Sequence, residues 1–116
     1  MSPTADPLAL VKGTLDVLVL KALSWGPMHG FEITSWLEER SGGQLEVVDA
    51  ALLQALHRME ARKLVTADWG ITENGRRARY YRLSPTGRAK LRVDSAAMVD
   101  HLNALTAILT ARTAGR

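Results

Sequence analysis

Cysteine is absent from the 116-residue chain, and that alone excludes disulfide staples, thiolate nucleophiles and cysteine-bound zinc. A reducing compartment suits such a chain, and a cytoplasmic location is expected. Long apolar runs are missing too. Residues 15–23 are interrupted by Asp16 and Lys21 and fall far short of the ~20 residues a membrane span requires, so no membrane partner is expected. Residues 1–7 lack the basic flank and apolar stretch of a signal peptide; Pro3, Asp6 and Pro7 read as a flexible lead-in. Catalytic apparatus is equally scarce. There is no GxSxG elbow and no glycine-rich loop followed by Lys-Ser or Lys-Thr. His29, His57 and His101 fall on separate elements without a carboxylate at ligand spacing. Neither an enzyme, nor a cofactor, nor a metal site is expected.

What is present is an ordinary globular mix, 47% hydrophobic and 23% charged, sufficient for one domain with a core and a short appended element. Leu8, Val11, Leu15, Leu18 and Ala22, broadened by Val19 and Leu23, step by three and four and predict a first helix. Ser24-Trp25-Gly26-Pro27 stops it, and Pro27 can open the next. Phe31, Ile33, Thr34, Trp36 and Leu37 form a second helical stripe that leaves through Ser41-Gly42-Gly43. Residues 44–48 read as a short strand or a connector. Asp49 is placed as the N-cap of a third helix that buries Leu52, Ala55 or Leu56, and Met59, and runs to about Lys63.

The period then changes to two. Val65, Ala67 and Trp69 share one face, and Arg79, Tyr81 and Leu83 alternate with Tyr80 and Arg82; Asn74-Gly75 lies between them, giving a β-hairpin with a long tip. Ser84-Pro85 reads as N-cap and first residue of a last helix. That helix carries Leu91, Ser95, Met98, Leu102, Leu105 and Leu109 in alternating steps of four and three, with Val99 and Ile108 beside them. A stripe of this kind either meets a second copy of the chain or folds back on the first helix; the small size of the domain favours the second copy.

Three helices and a hairpin, in that order, predict a mainly α fold with a β-wing, a winged helix-turn-helix whose third helix would enter a major groove. The boundaries are a flexible lead-in over 1–7, the winged domain over 8–84, a C-terminal dimerisation helix over 85–112 and a frayed tail over 113–116. Charge placement agrees. The formal net charge is +3, and residues 74–93 hold Arg76, Arg77, Arg79, Arg82, Arg88, Lys90 and Arg92 without one acid. A one-signed run at a hairpin tip suits a polyanion; its plainer explanation is a solubilising surface. Arg82, within the strand, suits cross-strand pairing equally well.

Two stretches carry a resemblance. Gly13-Thr14-Leu15-Asp16-Val17-Leu18-Val19-Leu20-Lys21-Ala22-Leu23 with Gly26-Pro27-Met28-His29-Gly30-Phe31-Glu32-Ile33 is similar to the start of the PadR family of bacterial transcriptional regulators. Ala55-Leu56-His57-Arg58-Met59-Glu60 and the run from Asn74-Gly75 through Tyr80-Tyr81-Arg82-Leu83-Ser84-Pro85-Thr86-Gly87-Arg88 are similar to its second half, in the compact subgroup with a short C-terminal helix. The resemblance implies a homodimeric repressor of operator DNA, relieved by a small-molecule effector. Three features depart from the family. Ala50-Ala51-Leu52-Leu53-Gln54 replaces a run with hydroxyl side chains, Lys63 stands where glycine is usual, and the last helix has no tryptophan to stack a drug.

The candidate DNA-binding residues are therefore Ala51, Leu53, Gln54, His57 and Arg58 on the third helix and Arg76, Arg77 and Arg79 on the wing. The candidate dimer interface is Leu8, Leu15, Leu91, Met98, Leu102, Leu105, Ile108 and Leu109. The alternative function is a protein-docking winged helix or a ligand sensor with weak DNA contact.

Overall fold

The computed structural model describes residues 13–113. It holds α1 (Thr14–Leu23), α2 (Gly30–Arg40), α3 (Asp49–Ala61), β1 (Val65–Ile71), β2 (Arg77–Leu83) and α4 (Pro85–Leu109). The two strands pair antiparallel, with Val65 opposite Leu83 and Ile71 opposite Arg77. This is a mainly helical winged helix-turn-helix, as the order of elements predicts.

The core gathers Val19, Leu20, Ala22 and Leu23 from α1, Ile33 and Leu37 from α2, and Leu52, Ala55, Leu56 and Met59 from α3. Leu64, Val65, Tyr81, Leu83 and Leu91 close it from the hairpin and α4. The α3 stripe is the one its spacing predicts. The α1 stripe is rotated: Leu20 is fully buried, while Leu15 and Leu18 pack only at its edge. Helical period gives a face but leaves its phase open by a residue when apolar side chains run together, as they do over 17–20. On α2, Phe31 is 76% exposed, and Ile33 and Leu37 alone are buried there.

Several element ends differ from expectation. Gly13 stands at φ 86, off the helical path, so α1 starts at Thr14; Leu8 and Val11 lie outside the described residues. Pro27 does not open α2. His29 caps it instead, accepting from the Glu32 N–H while Glu32 accepts from the His29 N–H, a reciprocal box built with an imidazole. Residues 44–48 are a connector. Val48, not Asp49, is the N-cap of α3, and Asp49 sits inside its first turn, where a carboxylate suits the helix dipole.

α3 ends before Lys63, which takes φ 63, and the Leu64 N–H reaches back to the Met59 carbonyl at 2.8 Å. Lys63 thus adopts the left-handed turn that glycine would take at lower cost. Ser84 caps α4, accepting from the Gly87 N–H at 2.9 Å, and its hydroxyl donates to the Lys63 carbonyl at 2.7 Å. One serine therefore joins the end of α3 to the start of α4. Gly87 is buried at this junction, where a Cβ would run into the Leu64 carbonyl oxygen, so only glycine fits without a shift. The segment before α2 also joins the wing: Met28 and Tyr81 exchange both backbone hydrogen bonds, at 2.8 and 3.0 Å.

From Ala96 onward α4 leaves the body. Leu102, Leu105, Ile108 and Leu109 are 38% to 82% exposed, and Met98 is half-buried. Among the described residues no helix is long and apolar enough to cross a membrane.

Candidate nucleic-acid interface

Because α3 buries Leu52, Ala55, Leu56 and Met59, its opposite face must look outward. Ala50, Leu53, Gln54, His57, Arg58 and Ala61 are exposed along it, and Ala51 is half-buried. Thirteen residues make α3 about 20 Å long, enough to lie within a major groove. Gln54 and His57 have no hydrogen-bond partner among the described residues, so their polar atoms are available. Arg58 is different: its guanidinium lies 2.7 Å from the Asp16 carboxylate of α1 while remaining about half exposed.

Beside this face stands the wing. Its tip, residues 72–76, is closed by the Thr72 N–H donating to the Arg76 carbonyl and the Gly75 N–H to the Thr72 carbonyl, both at 2.8 Å, with Gly75 at φ 80. Asn74-Gly75 therefore turns the chain where its dipeptide signal predicts. Arg76, at the tip, has no acidic partner among the described residues, and neither do Arg88 and Arg92 on α4. Arg77 lies over the Trp69 ring, 4.5 Å from its centre. Arg79 is bound to Glu60 of α3 at 3.1 Å, and Arg82 pairs with Asp68 across the strands at 3.4 Å. The long basic run thus divides into residues held by acids and residues left open. Sequence could show the arginines but not which carboxylates the fold brings to them.

Two exposed aromatic side chains also border the interface. Phe31 and Trp69, with Leu53, flank a cavity of about 450 Å³ between the start of α2, the start of α3 and the wing. The other tryptophans lie elsewhere, sharing Arg40, whose guanidinium is 5.5 Å from Trp25 and 5.3 Å from Trp36. Among the described residues no three His, Asp or Glu side chains gather to hold a metal ion.

The candidate dimer residues fall in two groups. Leu91 is buried in the core of the described chain and Leu15 packs at its edge, so both serve the body of the domain. Met98, Leu102, Leu105, Ile108 and Leu109 lie along the projecting part of α4 with little or no cover. Leu8 lies outside the described residues.

Residues 19–93 match the model of the transcriptional regulator PadR-like family. The chain is 26% identical over 82 residues to an uncharacterized protein of Lysinibacillus sphaericus, covering 71% of this chain and 75% of that protein. Among solved structures, a transcriptional regulator from Clostridium thermocellum superposes with a TM-score of 0.75 at 20% identity, covering 84% of this chain and 95% of the other. A PadR-like transcriptional regulator from Bacillus cereus gives 0.75 at 19% identity, covering 90% and 99%. At these identities the two structures establish the fold.

Proposed function

The chain belongs to the PadR-like family of transcriptional regulators, and from that premise we propose that it is a cytoplasmic homodimer that represses transcription from a near-palindromic operator. The observation that carries this reading is the outward face of α3, with Gln54 and His57 unengaged, standing next to a wing tip whose Arg76 and Arg77 face no acid. α3 would lie in the major groove, Gln54 pairing with adenine and Leu53 touching a thymine methyl, with Ala51 close to the same bases. His57 and Arg58 would meet base edges or nearby phosphates. Arg76 and Arg77 would hold the backbone or the adjacent minor groove, with Arg79 beside them. The projecting halves of two α4 helices would cover each other through Met98, Leu102, Leu105, Ile108 and Leu109. A small-molecule effector that releases the operator completes the reading.

The experiment is a salt titration of binding to the DNA upstream of the gene. Arg76→Ala with Arg77→Ala should weaken binding to every duplex and flatten the slope of log K against log salt by about 1.8, at about 0.9 for each phosphate no longer neutralised. An unchanged slope removes the wing tip from the interface. A second reading, a winged helix that docks a protein, is favoured by the exposure of Phe31 and Trp69 beside the 450 Å³ cavity. A complex specific for the upstream DNA at moderate salt would exclude it.

A further inference from the structure

The inner face of the wing carries cations and aromatic rings in succession. Tyr81, 4% exposed, roots β2 in the core. The Arg79 guanidinium lies 5.8 Å from the Tyr81 ring and ion-pairs with Glu60 at 3.1 Å. Trp69 stands directly across the strands from Arg79, and Arg77, the diagonal neighbour on the same face, lies 4.5 Å from the Trp69 ring centre. Glu60 belongs to the last turn of α3, so the series begins on the helix placed in the major groove and ends at the wing tip.

The two partners of these arginines have no evident contribution of their own to binding DNA. Glu60 is an acid beside a polyanion, and on charge alone it should oppose binding. Trp69 is 61% exposed, which costs solvation without adding to the core. Both make sense as holders. A guanidinium confined by a carboxylate or lying on an indole face loses less side-chain freedom when it meets its target, and a wing tied to α3 arrives at the duplex in one register with it.

We propose that Glu60 and Trp69 are positioning residues for DNA binding, Glu60 riveting the wing to α3 through Arg79 and Trp69 presenting Arg77 to the duplex. This rests on the DNA-binding reading above. It also gives Arg79 its place in the interface as the rivet, with the open tip arginines as the contacts.

The test is the sign of one substitution. Glu60→Gln removes a negative charge near DNA, so if Glu60 merely competes for Arg79 the variant binds tighter. If Glu60 positions the wing, the variant binds about twofold to fivefold more weakly, the range expected from losing one partly exposed pair. Its salt slope stays that of the wild type, because every phosphate keeps its cation. Trp69→Ala should lose a similar factor and Trp69→Phe should recover most of it, since a phenyl face still carries a guanidinium. Hydrogen exchange should show the β1 and β2 amides opening faster in Glu60→Gln while those of α1 stay protected. Should Glu60→Gln fold poorly by its melting curve, the Trp69 pair decides. Wild-type protein that binds no duplex overturns the DNA reading and this inference together. Wild type that binds, with Glu60→Gln equal or tighter or Trp69→Ala unchanged, overturns the inference alone.

Discussion

At the start of α4, Gly87 and Leu91 are buried against the hairpin, whereas further along the same helix Leu102, Leu105, Ile108 and Leu109 stand in solvent. The spacing of apolar residues is alike in both stretches; what differs is whether another element of the chain lies within reach. Near the wing, Leu64, Leu83 and α1 provide the cover. Past Ala96 the described chain offers little, and beyond Met98 every residue of α4 is exposed. Burying the four exposed side chains of two copies against each other is worth on the order of 10 kcal/mol before the cost of association, at about 1.5 kcal/mol each. The same amphipathic pattern thus builds a core in one half of α4 and leaves an open apolar face in the other.

Unseating the proximal half from the body should give the largest effect. Gly87→Ala sets a methyl against the Leu64 backbone carbonyl, which cannot give way as a flexible side chain would. A loss of about 3 kcal/mol is expected, read as a drop in the melting temperature, because α4 must lift from the hairpin. A melting curve like that of the wild type would mean that α4 is not seated as described.

The distal half can be changed without touching the body. Leu102→Arg with Leu105→Arg should weaken self-association about 100-fold, measured by sedimentation, and make the melting temperature independent of protein concentration. Far-ultraviolet circular dichroism should still report a folded body. Retained association would move the interface elsewhere on the chain.

The smallest effect belongs to the body and has the opposite sign. Lys63 pays for its left-handed turn at the end of α3, so Lys63→Gly should raise stability by about 0.5 kcal/mol by chemical denaturation, the relief of strain exceeding the added freedom of the unfolded chain. A loss of stability would mean that the lysine side chain contributes more than its backbone costs.

Much of this was legible in the residues. Ser84-Pro85, Ser41-Gly42-Gly43 and Asn74-Gly75 mark ends and turns through local chemistry, and the structure has them where that chemistry puts them. The spacing of Leu52, Ala55, Leu56 and Met59 fixed both the buried and the open face of α3. Phase and partnership were harder to read. Leu20 and Leu15 are equally apolar, and the packing of α1 against α2 and α3 decides which is covered. Asp16 with Arg58 and Glu60 with Arg79 are separated along the chain by far more than a helical turn, so no periodicity announces them. The pairing of Met28 with Tyr81 likewise depends on how α2 enters the domain. The imidazole cap at His29 was harder still, because histidine is not among the usual capping residues.

In the proposed dimer, two α3 helices sit on one face of a duplex, held there by paired distal α4 segments. Footprinting of the purified protein on its upstream DNA tests this most directly. Two protected half-sites about 10 base pairs apart, centre to centre, appearing together in a single transition, are the predicted result. A lone protected half-site, or two that fill independently, would contradict it.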